Sequence, residues 1–96
     1  MDWNQLNDEK LVEYCLDDDI EAKSEFVKRF SNLIYSIIKY NSLSDQDIDD
    51  LFNESWVCVF RYLPRYDASK YRLKKWIALK VSGACIEWLR KEGRQK

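Results

Sequence analysis

The chain has no histidine, two glycines and one proline in 96 residues. Without histidine it lacks the commonest general base and a common zinc ligand. With so little Gly and Pro, tight turns are few, which favours long helices over a many-stranded sheet. No glycine-rich phosphate loop and no paired-carboxylate motif is present, so the sequence argues against an enzyme. No apolar run approaches the ~20 residues that span a bilayer, so membrane insertion is not expected. The start, Met1-Asp2-Trp3-Asn4, has no basic segment leading into an apolar one and does not read as a secretory signal. The expected compartment is cytoplasmic. The three cysteines, Cys15, Cys58 and Cys85, are odd in number and widely spaced. They read as ordinary thiols, and neither a metal site nor a cofactor is expected.

Apolar residues make up 46% of the chain and charged residues 34%, a globular balance. Length sets one domain, residues 1–96, as the expectation. The net charge of −1 conceals a division. Met1 to Phe60 holds fourteen Asp/Glu against five Lys/Arg, a net −9, whereas Arg61 to Lys96 holds eleven Lys/Arg against three Asp/Glu, a net +8. Such asymmetry suits two partners, a polyanion facing the basic end.

Apolar periodicity predicts four helices. The first runs from Asp8 to about Leu16, with Asn7 as N-cap, Leu6 and Leu11 as a hydrophobic staple, and Val12, Cys15 and Leu16 as a narrow apolar face. The second starts within Asp17–Asp19, capped by Asp18 or Asp19, with Asp18 and Glu21 suited to a capping box, and ends near Tyr40. Its core stripe is Ala22, Phe26, Phe30, Leu33, Ile34 and Ile37. Three consecutive carboxylates at a helix start are caps and dipole partners before they are metal ligands. The third starts at Ser44 with Asp47 as capping-box acid, buries Ile48, Leu51, Phe52, Trp56, Val59 and Leu63, and stops before Pro64. The fourth follows the loop "RYDASKY", capped by Asp67 or Ser69, and runs to about Lys91 before Gly93. Its stripe is Leu73, Ile77, Val81, Ala84 and Trp88, which leaves Leu79 and Ile86 outside the core. The fold expected is an all-α, compact bundle of about four helices.

Two faces are not explained by the core. At 100° per residue, Asp47, Asp50, Asn53, Glu54, Val57 and Arg61 lie opposite the apolar stripe of the third helix. They fit either a solvated face or a docking surface whose carboxylates meet a basic partner helix around Val57. The segment that follows interleaves cations (Arg61, Arg65, Lys70, Arg72, Lys74, Lys75, Lys80, Arg90) with Tyr62, Tyr66, Tyr71 and Trp76. Cations neutralise phosphates and exposed rings stack on unpaired bases, a mixture suited to single-stranded or opening DNA. Tyr62, Tyr71 and Trp76 fit the core equally well. Tyr66, after Pro64, is the ring most expected to be exposed.

The order "LVEYCLDDDIEAKSEFVKRF", "DIDDLFNESWVCVFRYLPRY", "KKWIALKVSGACIEWLRK" resembles region 2 of sigma-70-type transcription initiation factors, of the extracytoplasmic-function group, from about Asp8 to Lys91. Asp50-Leu51-Phe52-Asn53-Glu54 matches the family's Asp-Leu-Val-Gln-Glu, with Asn53 where Gln is usual. The resemblance implies that this helix docks on the clamp helices of the beta-prime subunit of core RNA polymerase, through Asp47, Asp50, Asn53, Glu54 and Val57. Leu63-Pro64-Arg65-Tyr66, Trp76-Ile77 and Glu87-Trp88-Leu89-Arg90-Lys91 match the segments that recognise the −10 promoter element on the non-template strand and help to open it. The residues so implied for DNA are Arg65, Tyr66, Asp67, Ser69, Lys70, Tyr71, Arg72, Lys74, Lys75, Trp76 and Lys80. The resemblance also admits an anti-sigma factor as a partner. Lys80 departs from the family's aliphatic residue, and Gly83 from its frequent Asn. The family's second domain, the helix-turn-helix region 4, has no counterpart in this chain, and an excised domain is the expectation. The alternative from another class is a helical protein-interaction module with no DNA binding, its basic face solvated and its aromatics buried.

Overall fold

The computed structural model describes residues 1–41 and 44–91. Four helices hold most of them: α1 (Asp8–Leu16), α2 (Ile20–Asn41), α3 (Asp45–Tyr62) and α4 (Leu73–Lys91). The fold is all-α, and no strand occurs among the described residues. Two short 3-10 turns complete it, Trp3–Gln5 and Leu63–Arg65. The first was not legible in the sequence. Its Trp3 ring meets Tyr14 edge-on at 5.3 Å between centroids, and its Trp3 carbonyl accepts from Arg29 at 3.0 Å.

Helix starts follow local chemistry. The Asn7 side chain accepts from the Lys10 N–H at 2.8 Å, and Ser44 Oγ accepts from the Asp47 N–H at 3.2 Å, each quenching a donor that the first turn leaves unpaired. At the α1–α2 corner the three aspartates divide the work. Asp18 adopts φ 61°, the left-handed region. Its N–H reaches the Cys15 carbonyl and the Asp19 N–H reaches the Tyr14 carbonyl. That pair of bonds is a Schellman ending of α1, with Asp18 where glycine is usual. Asp19 then caps α2, accepting from the Ala22 N–H at 3.1 Å. The capping box expected of Asp18 and Glu21 is not formed. The Asp18 carboxylate instead binds Lys23 Nζ at 2.8 Å, a contact that lowers its pKa.

The core runs along one stripe of each helix. Leu11, Val12 and Cys15 of α1 meet Ala22, Phe26, Phe30, Ile34 and Ile38 of α2, and these pack on α3 and α4. Leu16, expected in the α1 face, is exposed. Ile38 takes a fully buried place, while Leu33 and Ile37 sit at the margin. Phe26 is an aromatic hub, 5.0 Å from Phe30, 5.6 Å from Phe60 and 6.1 Å from Trp56. Trp56 stacks on Phe60 at 5.6 Å and 26°. Arrangements of this kind add about 0.5–1.5 kcal/mol per pair to the area they bury.

The α3 stripe is rotated from the expected one. Leu51, Ser55 and Val59 are its fully buried positions in mid-helix, and Ile48, Phe52 and Trp56 lie at its edge. In α4 the buried set is Leu73, Trp76, Ile77, Val81, Cys85 and Leu89, with Ala84 and Trp88 half-buried. Neither Asp67 nor Ser69 caps α4. The helix begins later, the Arg72 carbonyl accepting its first bond from the Trp76 N–H at 3.0 Å. Gly93 lies outside the described residues. Around Pro64 the chain tightens into the 3-10 turn, as a ring that cannot donate to a continuing helix requires.

Candidate polymerase and nucleic-acid interface

The outward side of α3 carries Asp50, Asn53, Glu54, Val57 and Arg61, all exposed. Val57 retains 50% of its surface in the middle of these polar groups. Asp47 does not belong with them. It is only 2% exposed, so the sequence placed it on the wrong side of the helix. The reason is the rotated stripe. Asp47, Leu51, Ser55 and Val59 recur every four residues, and that line faces inward.

Beyond Pro64 lies a loop shaped by one carboxylate. Asp67 Oδ1 accepts from the Ser69 N–H at 2.9 Å and from Ser69 Oγ at 2.6 Å. Both bonds hold its carboxyl below the usual range. The Asp67 carbonyl closes the turn by accepting from the N–H groups of Lys70 and Tyr71. This is an Asx turn, the alternative that short polar side chains offer to helix. Asp67 and Ser69 thus build the loop, and the loop displays Arg65, Lys70, Tyr71, Arg72, Lys74 and Lys75, all exposed.

The aromatic residues divide differently from the expectation. Tyr66 is not the displayed ring. It is half-buried against Trp76 at 5.4 Å, and its hydroxyl donates to the Tyr71 carbonyl at 2.8 Å. Burial pushes its pKa up, with Glu9, Asp8 and Asp67 adding to the effect. Trp76 is 5% exposed and belongs to the core. Tyr71, at 40%, is the ring the loop presents to solvent. Tyr62 is half-buried, and Lys80 Nζ lies over its face at 5.0 Å and over Trp76 at 5.9 Å. Lys80 is therefore turned along the protein surface onto two rings, away from the row formed by Lys74 and Lys75. Sequence reasoning missed this pairing, although Tyr62, Trp76 and Lys80 all stood in the segment it singled out.

Two of the thiols are set against reactivity. Burial raises the Cys15 thiol from 9.0 to about 11 and raises Cys58 as well, the reverse of what a nucleophile or metal ligand needs. No group of His, Cys, Asp and Glu placed to hold a metal occurs among the described residues.

The acidic helix and the basic loop lie within one segment that matches a known family. A family model, Sigma-70 region 2, matches residues 26–95. The chain belongs to the sigma-70 region 2 family. That membership gives it a sigma-factor role in transcription initiation, with core RNA polymerase and promoter DNA as the partners of the family, and it places the chain among transcription factors rather than enzymes. The match begins at Phe26, so it takes in most of α2 and all of α3 and α4, and it leaves α1 outside. Searches of curated proteins and of solved structures returned no match. No described helix is long and apolar enough to cross a membrane.

Proposed function

We propose that this sigma region 2 domain, spanning the chain, docks on the beta-prime clamp helices of core polymerase through the outward side of α3. It then receives the displaced non-template strand of the −10 element on the segment from Arg65 to Lys75. The observation that carries this is the succession of two exposed surfaces of opposite sign on neighbouring elements. The α3 side offers the carboxylates of Asp50 and Glu54, the amide of Asn53 and the small apolar contact of Val57. A basic partner helix would find charge pairs around an apolar centre there, the anatomy of a protein interface. The loop side offers five exposed cations and Tyr71. Cations bind phosphates and a ring stacks on an unpaired base, which favours a strand already out of the duplex.

The roles then differ from residue to residue. Arg65, Lys70, Arg72, Lys74 and Lys75 contact phosphates. Tyr71 stacks on a base, and Asp67 with Ser69 holds the loop in shape. Tyr66 and Trp76 form the wall behind the loop, and Lys80 fastens that wall to Tyr62. An extracytoplasmic-function sigma factor, working with polymerase in the cytoplasm and held back by an anti-sigma factor, is the setting that suits this division.

One observation favours the second reading, a protein-interaction module without DNA binding. Trp76 is buried and Tyr66 is packed on it, so the display of rings is smaller than the sequence suggested. A single experiment separates the two. Wild-type protein and the Asp50→Arg/Glu54→Arg variant are used to capture purified core polymerase, with helicity followed by circular dichroism. Capture by wild type and loss in a folded variant supports the promoter reading. No capture by folded wild type overturns it.

A further inference from the structure

Arg29 joins three segments of the chain. Its Nε and Nη2 donate to Glu25 Oε2, both at 3.2 Å, and its Nη1 donates to Asp8 Oδ1 at 3.1 Å. Nη2 also donates to the Trp3 carbonyl at 3.0 Å. Glu25 lies one turn earlier on α2, Asp8 opens α1, and Trp3 opens the 3-10 turn before α1. The Arg29 side chain is 19% exposed and that of Glu25 12%. No other cation among the described residues pairs with two carboxylates. A planar guanidinium holds several acceptors at fixed angles, which a lysine ammonium does not.

The segments it holds have little else to hold them. Neither the Trp3–Gln5 turn nor the first turn of α1 contributes a buried side chain, and burial in α1 begins at Leu11. The Trp3 ring lies at the margin of the core, edge-on to Tyr14. The Asn7 cap orders the first turn of α1 from within but does not tie it to another helix. Arg29 makes that tie from α2.

That first turn stands behind the basic loop. α1 lies against the Leu63–Arg65 turn. The pKa of Tyr66, the next residue, is raised chiefly by burial and further by Glu9 and Asp8, so both carboxylates stand near its hydroxyl. The same hydroxyl donates to the Tyr71 carbonyl at 2.8 Å, and the Tyr71 ring is the one the loop shows to solvent. We infer that Arg29 is a positioning residue for the loop: it fixes the first turn of α1 behind Tyr66, and Tyr66 holds Tyr71 where a base can stack on it. The stacking role of Tyr71 is taken from the promoter reading, on which this part rests. Arg29 and the loop lie within the family match and α1 lies outside it, so the clamp is the link through which the start of the chain bears on the loop.

Two measurements on the whole chain test this. The first is hydrogen exchange, followed by NMR, at the amides of Lys70 and Tyr71, which close the loop on the Asp67 carbonyl. Arg29→Lys keeps the charge and loses the fork, and Asp8→Asn weakens the same clamp from the other helix. In each variant the two loop amides should exchange at least threefold faster, while the amides of the buried Val59 and Val81 report global stability. The second is fluorescence anisotropy with a labelled oligothymidine and with the same strand made abasic. Wild type should prefer the strand with bases, because stacking needs a base and phosphate contacts do not. Both variants should lose at least threefold of that preference with abasic affinity unchanged, as Tyr71→Ala should. If Arg29→Lys loses helicity by circular dichroism, Asp8→Asn carries both measurements. Loop amides that exchange as in wild type overturn the clamp, and so does acceleration of the core amides alone, which would make Arg29 a stabilising residue only. Base preference retained in both variants overturns its role toward DNA. Wild type that binds neither strand, with loop amides still accelerated in the variants, supports the clamp and counts against the promoter reading.

Discussion

Lys80 Nζ sits 5.0 Å from the centre of the Tyr62 ring. This contact ties α4 to the end of α3 at the point where the chain turns into the basic loop. A cation over an aromatic face contributes about 0.5–1 kcal/mol at an exposed site and more where water is excluded. It also sets the one cation in the middle of α4 over two rings of its own domain.

Lys80→Leu is therefore expected to lower stability by about 1 kcal/mol or less, and to leave the salt dependence of single-stranded DNA binding unchanged. Lys74→Ala should leave stability alone and reduce the slope of log affinity against log salt by about 0.7, the value for one phosphate contact on a single strand. Urea unfolding and a salt titration of oligonucleotide binding read the two effects. A loss of about 0.7 in slope with Lys80→Leu would return Lys80 to the phosphate contacts.

Asp47 and Asp50 are three residues apart, about 60° around the α3 axis, yet Asp47 is buried and Asp50 is exposed. Asp50→Arg should fold with wild-type helicity and lose polymerase. Asp47→Arg should lose stability by about 3 kcal/mol or more, because a buried site would have to take a larger charge of the other sign. For a domain of this size each kcal/mol is about 4–8 °C in the midpoint, so thermal unfolding separates the two variants. Equal midpoints would show that Asp47 is not inside.

Phe26 touches three other aromatic rings, on α2 and α3. Phe26→Ala should cost about 3–5 kcal/mol, the transfer of the ring plus the cavity it leaves. Denaturant unfolding gives the number, and a loss below ~1 kcal/mol would mean that the hub collapses around the gap.

Asp18 stands at φ 61°, where a side chain is strained and glycine is not. Asp18→Gly is expected to be close to neutral, since relief of strain offsets the lost contact with Lys23. Asp18→Val should cost about 1–2 kcal/mol, because a β-branched residue resists this region most. The pair of midpoints tests whether α1 ends as described.

Cys15 links stability to alkaline pH. Its thiol ionises near 9.0 when exposed and at about 11 in the fold, raised chiefly by burial. Between those values the unfolded chain has lost the proton and the folded chain has kept it, so stability falls as pH rises. Below pH 9 the contribution is fully present. The decline of the urea midpoint from pH 9 to 11 should be shallower in Cys15→Ala than in wild type. Parallel declines would place the titration elsewhere.

The four helices were legible because their signals are local. The caps Asn7 and Ser44 and the stop at Pro64 each act within a turn of chain, and each was found where the sequence put it. The order of an acidic helix and a basic loop was legible for the same reason. What the sequence misplaced depends on rotation about a helix axis. Asp47 went inward because the line along which α3 packs is not fixed by periodicity to within one residue, and Trp76 joined the core where α4 packs on its neighbours. The Tyr66 ring found Trp76, and Lys80 found Tyr62, only once the turn at 63–72 brought α4 back along α3. Local hydrogen bonding and hydrophobic period thus determined the elements, and packing between distant segments decided which side of each element faces the world.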